Sequence, residues 1–334
     1  MIVDCFLFFQ ELNILEIRLE YLYDTVDKFI IVEASESFSG KKKEFLFEKN
    51  ITRFEKYLDK IFYFKIKNQN KNYETLISNL DKEKGFIHKK IKDMLEKHKH
   101  YDKKILPFVL DSYHRECLHI PMSNICSDND YIILSDLDEI PNKYFVKSIK
   151  NKNHKFPIVM KQKEFKYFLN LYSNNNWQGS IIEKYKKIKY KSLNTLRLDS
   201  SSYNSFYPGG YHFTSIGGIE LLRNKLENWG HQEYNLNIIK KNLKRNILSG
   251  RDIFYRLGEN RNQIIDIKDS NYIDLEMMVI ISKFKDLLII DKININLINY
   301  LKYKYEQILI YSIRFIKEPK KALIKISKKL FSFL

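Results

Sequence analysis

Two short apolar segments separated by one amphipathic helix open the sequence, and this arrangement constrains the fold more than any other feature. Residues 2–9 form an apolar run rich in β-formers and interrupted by Asp4, and residues 29–33 form a second such run. The helical stripe between them consists of Leu12, Leu15, Leu19 and Leu22. A strand–helix–strand unit is typical of a parallel sheet flanked by helices. We therefore predict an α/β fold, with residues 61–66 as a third strand.

The strongest chemical signal is an acidic segment directly after a buried strand. The apolar residues 131–134 run into Asp136, Leu137, Asp138 and Glu139. At the carboxyl end of a parallel strand, alternation places Asp136 and Asp138 on the side of the ligand crevice and Leu137 toward the core. Two neighbouring carboxylates repel each other, and Mn²⁺ or Mg²⁺ would remove that cost. We predict a metal site at Asp136 and Asp138, with a solvated acidic turn as the alternative. A second alternative places Asp136 on the donor ribose or its sugar, with Asp138 as the direct ligand. Glu139 is expected either to support the site or hydrogen-bond neighbouring backbone, or to contact the metal.

Charge and cysteine content limit the partners and the compartment. The net charge of +17 favours polyanionic partners, namely nucleic acid, an anionic membrane or a phosphate-bearing substrate, although a Lys-rich coding bias would give the same balance. The cysteines, Cys5, Cys117 and Cys126, lack the spacing of zinc ligands and suit a reducing compartment. We read no signal peptide or membrane anchor at the N-terminus, so we expect a cytoplasmic location.

Several sequence blocks, in the same order, resemble glycosyltransferase family 17. They are residues 4–6, 11–19, 26–34, 38–41, 135–141, 210–218, 231–233 and 250–254. The resemblance implies a GT-A-like nucleotide-diphospho-sugar transferase fold with a mixed, mostly parallel central sheet flanked by helices and a C-terminal helical tail. We expect the transferase domain to span residues 1–290 and a basic helical extension to span residues 291–334.

The same resemblance implies an inverting, metal-dependent transferase that uses a UDP-sugar, with UDP-GlcNAc as the expected donor. Known members add N-acetylglucosamine to a mannose of an N-glycan core. This sequence departs from them in lacking an N-terminal anchor, in carrying His114 where glutamine is usual and in containing Pro121. We therefore expect a different glycan, or a lipid-linked glycan, as the acceptor.

Further donor contacts are assigned to charged residues near the strand ends. Glu33 is expected to accept a hydrogen bond from the nucleoside, unless it is a strand-end charge that faces water. Arg115 and Lys41 are candidates to meet phosphate oxygens, Arg115 through two parallel hydrogen bonds, although a solvated role is favoured for Lys41, one of three successive lysines. His212 and His231 are candidates for metal or diphosphate contacts, with a structural role as the alternative.

An inverting transfer needs one general base to take the proton of the acceptor hydroxyl. The candidates are Glu233 and Asp252, and Asp252 is also suited to cap a helix. The two tryptophans, Trp177 and Trp229, are expected to pack in the core rather than stack on a sugar.

Two other functions compete with the transferase. A basic nucleic-acid-binding protein would suit the charge, but the basic residues form no recognisable reading motif. A metal-dependent phosphohydrolase would need a larger set of metal-ligating residues. The tail, residues 321–334, has the pattern of a basic amphipathic helix, which would either dock on the protein or bind an anionic membrane surface. We thus expect a UDP-sugar donor and a glycan acceptor, and no nucleic acid.

Overall fold

A computed structural model describes residues 1–152, 154–228, 231–259, 261–290, 293 and 296–317. Within these residues the strands form one ten-stranded mixed sheet. The strands are β1 Ile2–Phe8, β2 Lys28–Ala34, β3 Ile61–Ile66, β4 Tyr131–Leu134, β5 Glu139–Pro141, β6 Ile158–Lys166, β7 Leu171–Lys184, β8 Asn204–Phe206, β9 Gly210–Thr214 and β10 Gln263–Ile264. Their order is β3-β2-β1-β4-β7-β6-β9-β5, with β10 beside β7 and β8 beside β6.

The sheet has a parallel half and a mixed half. Strands β3, β2, β1 and β4 are parallel, so their carboxyl ends meet at one edge. On the other side of β4, β7 runs antiparallel to it, and β6 is antiparallel to β7 but parallel to β9. The chain leaves β4 through a turn and returns as β5, where Glu139 pairs with His212 of β9. The turn after β4 therefore lies where the two halves meet.

Helices cover the faces of the sheet. They are α1 Leu12–Leu22, α2 Leu46–Lys49, α3 Tyr73–Lys82, α4 Phe86–Lys97, α5 Leu106–Glu116, α6 His119–Ile125, α7 Lys143–Ser148, α8 Tyr185–Ile188, α9 Leu193–Leu198, α10 Gly218–Asn228, α11 Asn237–Leu248, α12 Leu275–Ile281 and α13 Leu297–Lys317. Short 3₁₀ helices occur at Ile51–Tyr57, Asp199–Ser202, Gln232–Tyr234 and Lys285–Leu287. Pro121 lies in the first turn of α6, where its missing N–H breaks no helical hydrogen bond.

Alternation along the central strands builds two cores. Phe6 and Ile31 belong to one core, which α1 and α12 cover. Cys5 and Ile30 point to the opposite face and pack against α4 and α5. A third core joins α10, α11 and α13. Because the central strands bury apolar side chains on both faces, their sequences are continuous apolar runs.

The predicted fold class is confirmed. The strands at residues 61–66 and 131–134 are present with the predicted limits, and the strands of the N-terminal parallel unit differ from the prediction by one residue at β1 and by one at each end of β2. Trp229 and the amphipathic segment 321–334 lie outside the described residues, and the domain boundary at residue 290 stays a prediction. In the described part of the chain, every helix is too short or too polar to cross a membrane.

Candidate active site

The acidic turn, residues 135–138, is shaped by a buried arginine. Arg18 of α1 is fully buried and makes a two-pronged ion pair with Asp4 of β1, with N–O distances of 2.6 and 2.8 Å. Its Nη1 donates to the carbonyl oxygens of Asp136, Leu137 and Glu139 at 2.9–3.0 Å. Because the guanidinium group is planar and Asp4 fixes its plane, these bonds fix the backbone of the turn. Leu137 packs in the core, as alternation predicts.

Asp136 is held between two arginines. Arg115 of α5 donates to Oδ1 at 2.7 Å, and Arg197 of α9 donates to Oδ2 at 3.0 Å. Burial opposes ionisation, but the two guanidinium groups outweigh it and hold the pKa of Asp136 well below its ordinary value. The side chain is still 39% exposed. The structure thus brings the predicted residues Asp136 and Arg115 together at an ionised, solvent-accessible cluster.

Glu139 supports this cluster from below. Its buried carboxylate accepts from both Nη atoms of Arg197, at 2.5 and 2.6 Å, and from the backbone N–H of Asp136 at 2.9 Å. It also accepts from the indole N–H of Trp177 at 2.7 Å. Glu139 thus both supports the site through Arg197 and hydrogen-bonds neighbouring backbone. A buried carboxylate with this many donors orients its partners.

Trp177 does not lie in the core, so that expectation was wrong. Its side chain is 41% exposed, and its ring stacks on His212 with centroids 4.8 Å apart. The indole N–H needs a partner, and Glu139 supplies it at the edge of the sheet. An aromatic face consequently borders the acidic turn.

Asp138 lies beside His212. The backbone N–H of Phe213 donates to the carbonyl oxygen of Asp138 at 2.9 Å, which ties the turn to β9. His212 Nε2 is 3.7 Å from Asp138 Oδ1, and its Nδ1 is 3.8 Å from Glu164 Oε1. Burial lowers the pKa of His212, but the surrounding carboxylates outweigh it and raise that pKa above its ordinary value. Burial also disfavours the charged form of Asp138, but His212 outweighs it and the pKa of Asp138 is lowered.

Glu33 has a structural role, instead of the nucleoside contact expected for it. Its carboxylate is fully buried at the end of β2. The donors to it are Lys43 Nζ at 2.5 Å, Leu46 N at 2.7 Å, Phe47 N at 3.1 Å and Tyr63 Oη at 2.8 Å. These bonds close the loop that follows β2 onto the sheet and leave Glu33 turned away from solvent.

A small cleft lies at the carboxyl ends of β1 and β2. Its lining includes Phe9, Phe38, Glu36 and His114. The rings of Phe9 and Phe38 are nearly parallel, with centroids 6.5 Å apart. His114 packs on Phe38, and its Nε2 is 3.7 Å from Glu36 Oε1. His114 Nε2 is buried without a hydrogen-bond partner, so a polar atom of a ligand could pair with it.

The remaining predicted residues lie on neighbouring elements. Lys41 is exposed and reaches the carbonyl oxygen of Glu227 in α10 at 3.4 Å. His231 Nδ1 is 3.0 Å from Glu233 Oε1, and the ring of His231 packs against Phe108 of α5. The carboxylate of Glu233 is also 3.9 Å from Arg314. Helix α5 thus carries a contact to the His231–Glu233 pair at its first turn and Arg115 at its last.

Asp252 has a structural role, so the expectation that it acts as a general base is corrected. It is 3% exposed and accepts from the backbone N–H of Arg256 at 2.9 Å, from the Arg256 guanidinium and from Tyr167 Oη. Such bonds hold the turns that follow α11; no helix begins at Asp252, so the expected helix cap is not observed either. Each oxygen of this buried carboxylate already accepts a hydrogen bond, which leaves it turned away from an acceptor hydroxyl.

The comparison with protein families decides the assignment. The model of glycosyltransferase family 17 matches residues 1–85 and 72–269. The chain belongs to glycosyltransferase family 17. It is therefore a glycosyltransferase of the N-acetylglucosaminyltransferase-like kind, and membership in this family favours that function over nucleic-acid binding and phosphate hydrolysis. No curated protein and no solved structure matches the sequence.

The donor atoms at the turn fit a cation that takes most of its ligands from substrate and water. Both oxygens of Asp136 accept from arginines, so Asp138, with His212 beside it, is the carboxylate left for a metal. In the described part of the chain, no group of three or more His, Cys, Asp or Glu side chains could enclose an ion. Mg²⁺ sites with one or two carboxylates plus substrate phosphates have this character.

Proposed function

We propose that this transferase moves a sugar, with N-acetylglucosamine as the first candidate, from a UDP-sugar to a glycan or lipid-linked glycan with inversion. The observation that carries the proposal is the acidic turn itself. It presents Asp138 next to a histidine with a raised pKa and two arginines around Asp136, at the carboxyl edge of the parallel strands. Such an edge is the ligand crevice of an open α/β sheet.

Asp138 would hold Mn²⁺ or Mg²⁺. Bound there, the cation would neutralise negative charge on the departing diphosphate. Asp136 takes a different role from the one first expected, because both of its oxygens are engaged by arginines. It orients Arg115 and Arg197, whose remaining N–H groups can donate to phosphate oxygens.

A ring N–H of His212 would donate a hydrogen bond to the diphosphate. Its raised pKa favours the protonated form, so it suits an anion better than it suits proton abstraction. The three cations around Asp136 and Asp138 would thus stabilise the charge that develops as the nucleotide leaves.

The surface of the Phe9–Phe38 pair is our candidate for the nucleoside, because the cleft itself, at about 20 Å³, is too small to enclose a base. Aromatic rings 6.5 Å apart offer a stacking surface for a base. The Nε2 of His114, which has no hydrogen-bond partner, offers a polar contact at the floor of the cleft. The carboxylate of Glu36 lies beside it and already accepts from the backbone and side-chain N–H groups of Asn70. This assignment replaces Glu33 by Glu36 as the acidic residue nearest the nucleoside.

Glu233 is our candidate for the general base, and Trp177 for the sugar-stacking ring. Glu233 is half-buried, carries a histidine partner and is 28% exposed, so it can reach an acceptor hydroxyl. The exposed face of Trp177 borders the turn, and sugars commonly pack on such faces.

A donor screen tests the function directly. Nucleotide-sugars are incubated with the full chain, with Mn²⁺ or with EDTA, and release of the nucleoside diphosphate is measured with and without mannose-containing acceptors. We expect release from a uridine-diphospho-sugar that depends on the cation and increases with acceptor. Turnover unaffected by EDTA would overturn the metal site, and preference for a different nucleotide would overturn the donor assignment.

A further inference from the structure

Helix α13 carries apolar side chains on two sides. Its inner side is buried against the third core through Tyr303, Gln307 and Ile310. Its outer side exposes a second apolar set, which we call the outer stripe: Leu297, Ile298, Leu301, Tyr305, Ile308 and Phe315. Leu297, Tyr305 and Ile308 are each more than 65% exposed, at 71%, 68% and 68%. A contiguous exposed apolar surface of this kind marks an interaction site.

Positive charge borders the outer stripe. At about 100° per residue, Lys302 and Lys304 fall on opposite edges of the stripe, and both are exposed. The neighbouring helix α11 exposes Lys241 and Lys244. The acid on this part of α13, Glu306, faces inward, where it is paired with Arg245 and leaves the positive charge of the outer side uncompensated.

We propose that the outer stripe of α13 binds an anionic lipid surface. Apolar side chains along one side with lysines at both edges are the pattern of a helix that lies in the plane of a membrane interface. Juxtamembrane lysines gain from the negative surface potential of anionic lipids. The net charge of +17 and the lysine-rich sequence of residues 318–334 extend the same charge complementarity.

The partner is therefore a bilayer surface rather than a second copy of the chain. A second copy would bring the same lysines against Lys302 and Lys304, and like charges at an interface are unfavourable. Because α13 is anchored to the third core through Tyr303 and Ile310, its outer stripe can insert while its inner side keeps its contacts. This inference is independent of the transfer reaction proposed above.

Vesicle co-sedimentation of the full chain tests the proposal. We expect binding to vesicles of phosphatidylcholine mixed with phosphatidylglycerol and much weaker binding to phosphatidylcholine alone. The variant Leu301→Ser/Ile308→Ser should bind the anionic vesicles at least about tenfold more weakly, because it removes two exposed apolar side chains from the stripe. Its matched control is Leu275→Ser/Val279→Ser, which removes two exposed apolar side chains from α12 and should bind normally.

Charge-reversal variants provide a second test of vesicle binding. Lys302→Glu/Lys304→Glu should weaken anionic-vesicle binding at least about tenfold, whereas Lys152→Glu/Lys155→Glu, a reversal elsewhere on the surface, should weaken it less. If both stripe variants bind like their controls, the assignment to α13 is overturned. A concentration-dependent dimer that the stripe variant dissociates, without any vesicle binding, would overturn it in favour of a second copy. Unchanged melting temperatures verify that the exposed substitutions leave the fold intact.

Discussion

The acidic turn and the segment around Glu233 are held in different ways. In the turn, buried Arg18 and Glu139 fix the backbone and the arginines, so each group has a partner that burial keeps in place. Around Glu233, the partner His231 is 42% exposed, and the ion pair with Arg314 is long, at 3.9 Å. The comparison separates a preorganised part, which we propose for the diphosphate, from a more exposed part, which we propose for the acceptor.

Removal of Arg18 tests the preorganisation of the acidic turn and should have the largest effect of the changes considered. Arg18→Ala leaves Asp4 buried and unpaired and frees three carbonyl oxygens, so we expect a loss of about 3–5 kcal/mol in the free energy of unfolding. Urea denaturation measures it. The control Arg53→Ala, which breaks a half-exposed pair with Glu16, should cost less than about 1 kcal/mol. Equal losses in the two variants would contradict a special role for Arg18.

Removal of the carboxylate of Glu233 should act on the rate and leave donor binding unchanged. In Glu233→Gln we expect kcat to fall about 10²-fold or more, the usual contribution of a general base, while the Kd for the nucleotide stays constant. Steady-state kinetics and calorimetry measure the two quantities. Glu227→Gln, an exposed acid on α10, is the matched control. A normal kcat would remove Glu233 from the chemistry.

Replacement of Asp252 should lower the stability of the protein and leave the rate nearly unchanged. Asp252→Asn weakens the pairing with Arg256, and we expect a loss of about 1–3 kcal/mol in the free energy of unfolding with little change in kcat for the folded enzyme. Thermal denaturation and kinetics at a temperature where the variant is folded distinguish the two effects. A fully stable variant without activity would restore Asp252 as a base.

The pH dependence of His212 should give the smallest effect. Its pKa is raised in the folded protein, so the stability that its protonated form adds is fully present below the pKa of the unfolded chain. That contribution is lost as the pH rises through the raised folded pKa. An NMR titration of the His212 ring, assigned with His212→Gln, measures it, and a midpoint below the ordinary histidine pKa would contradict the contact with Asp138.

Sequence patterns predicted the sheet and the acidic turn because both depend on local order. The strand at residues 131–134 and the alternation around Leu137 need only neighbouring residues, and both were correct. The buried pair of Arg18 and Asp4 was also detectable from the sequence, since each residue interrupts an apolar pattern. Two opposite charges in buried elements indicate a buried ion pair.

Long-range partners were beyond prediction. Arg197 reaches Asp136 across 61 residues, and nothing in its short helix distinguishes it from a surface arginine. Trp177 was assigned to the core because it is large and apolar, but its N–H finds Glu139 at an exposed edge. Glu33 was placed correctly at a strand end, whereas Asp252 was placed at a helix start and instead follows the end of α11; backbone and side-chain donors engage both carboxylates.

Metal-dependent binding of UDP tests the central claim most directly. Calorimetric titration of UDP into the full chain with Mn²⁺ is compared between the wild type, Asp138→Asn and the control Asp128→Asn, an exposed acid paired with Lys189. We expect the wild type and the control to bind UDP more tightly with Mn²⁺ than with EDTA, and Asp138→Asn to lose that gain. An undiminished metal-dependent gain in Asp138→Asn would contradict the account.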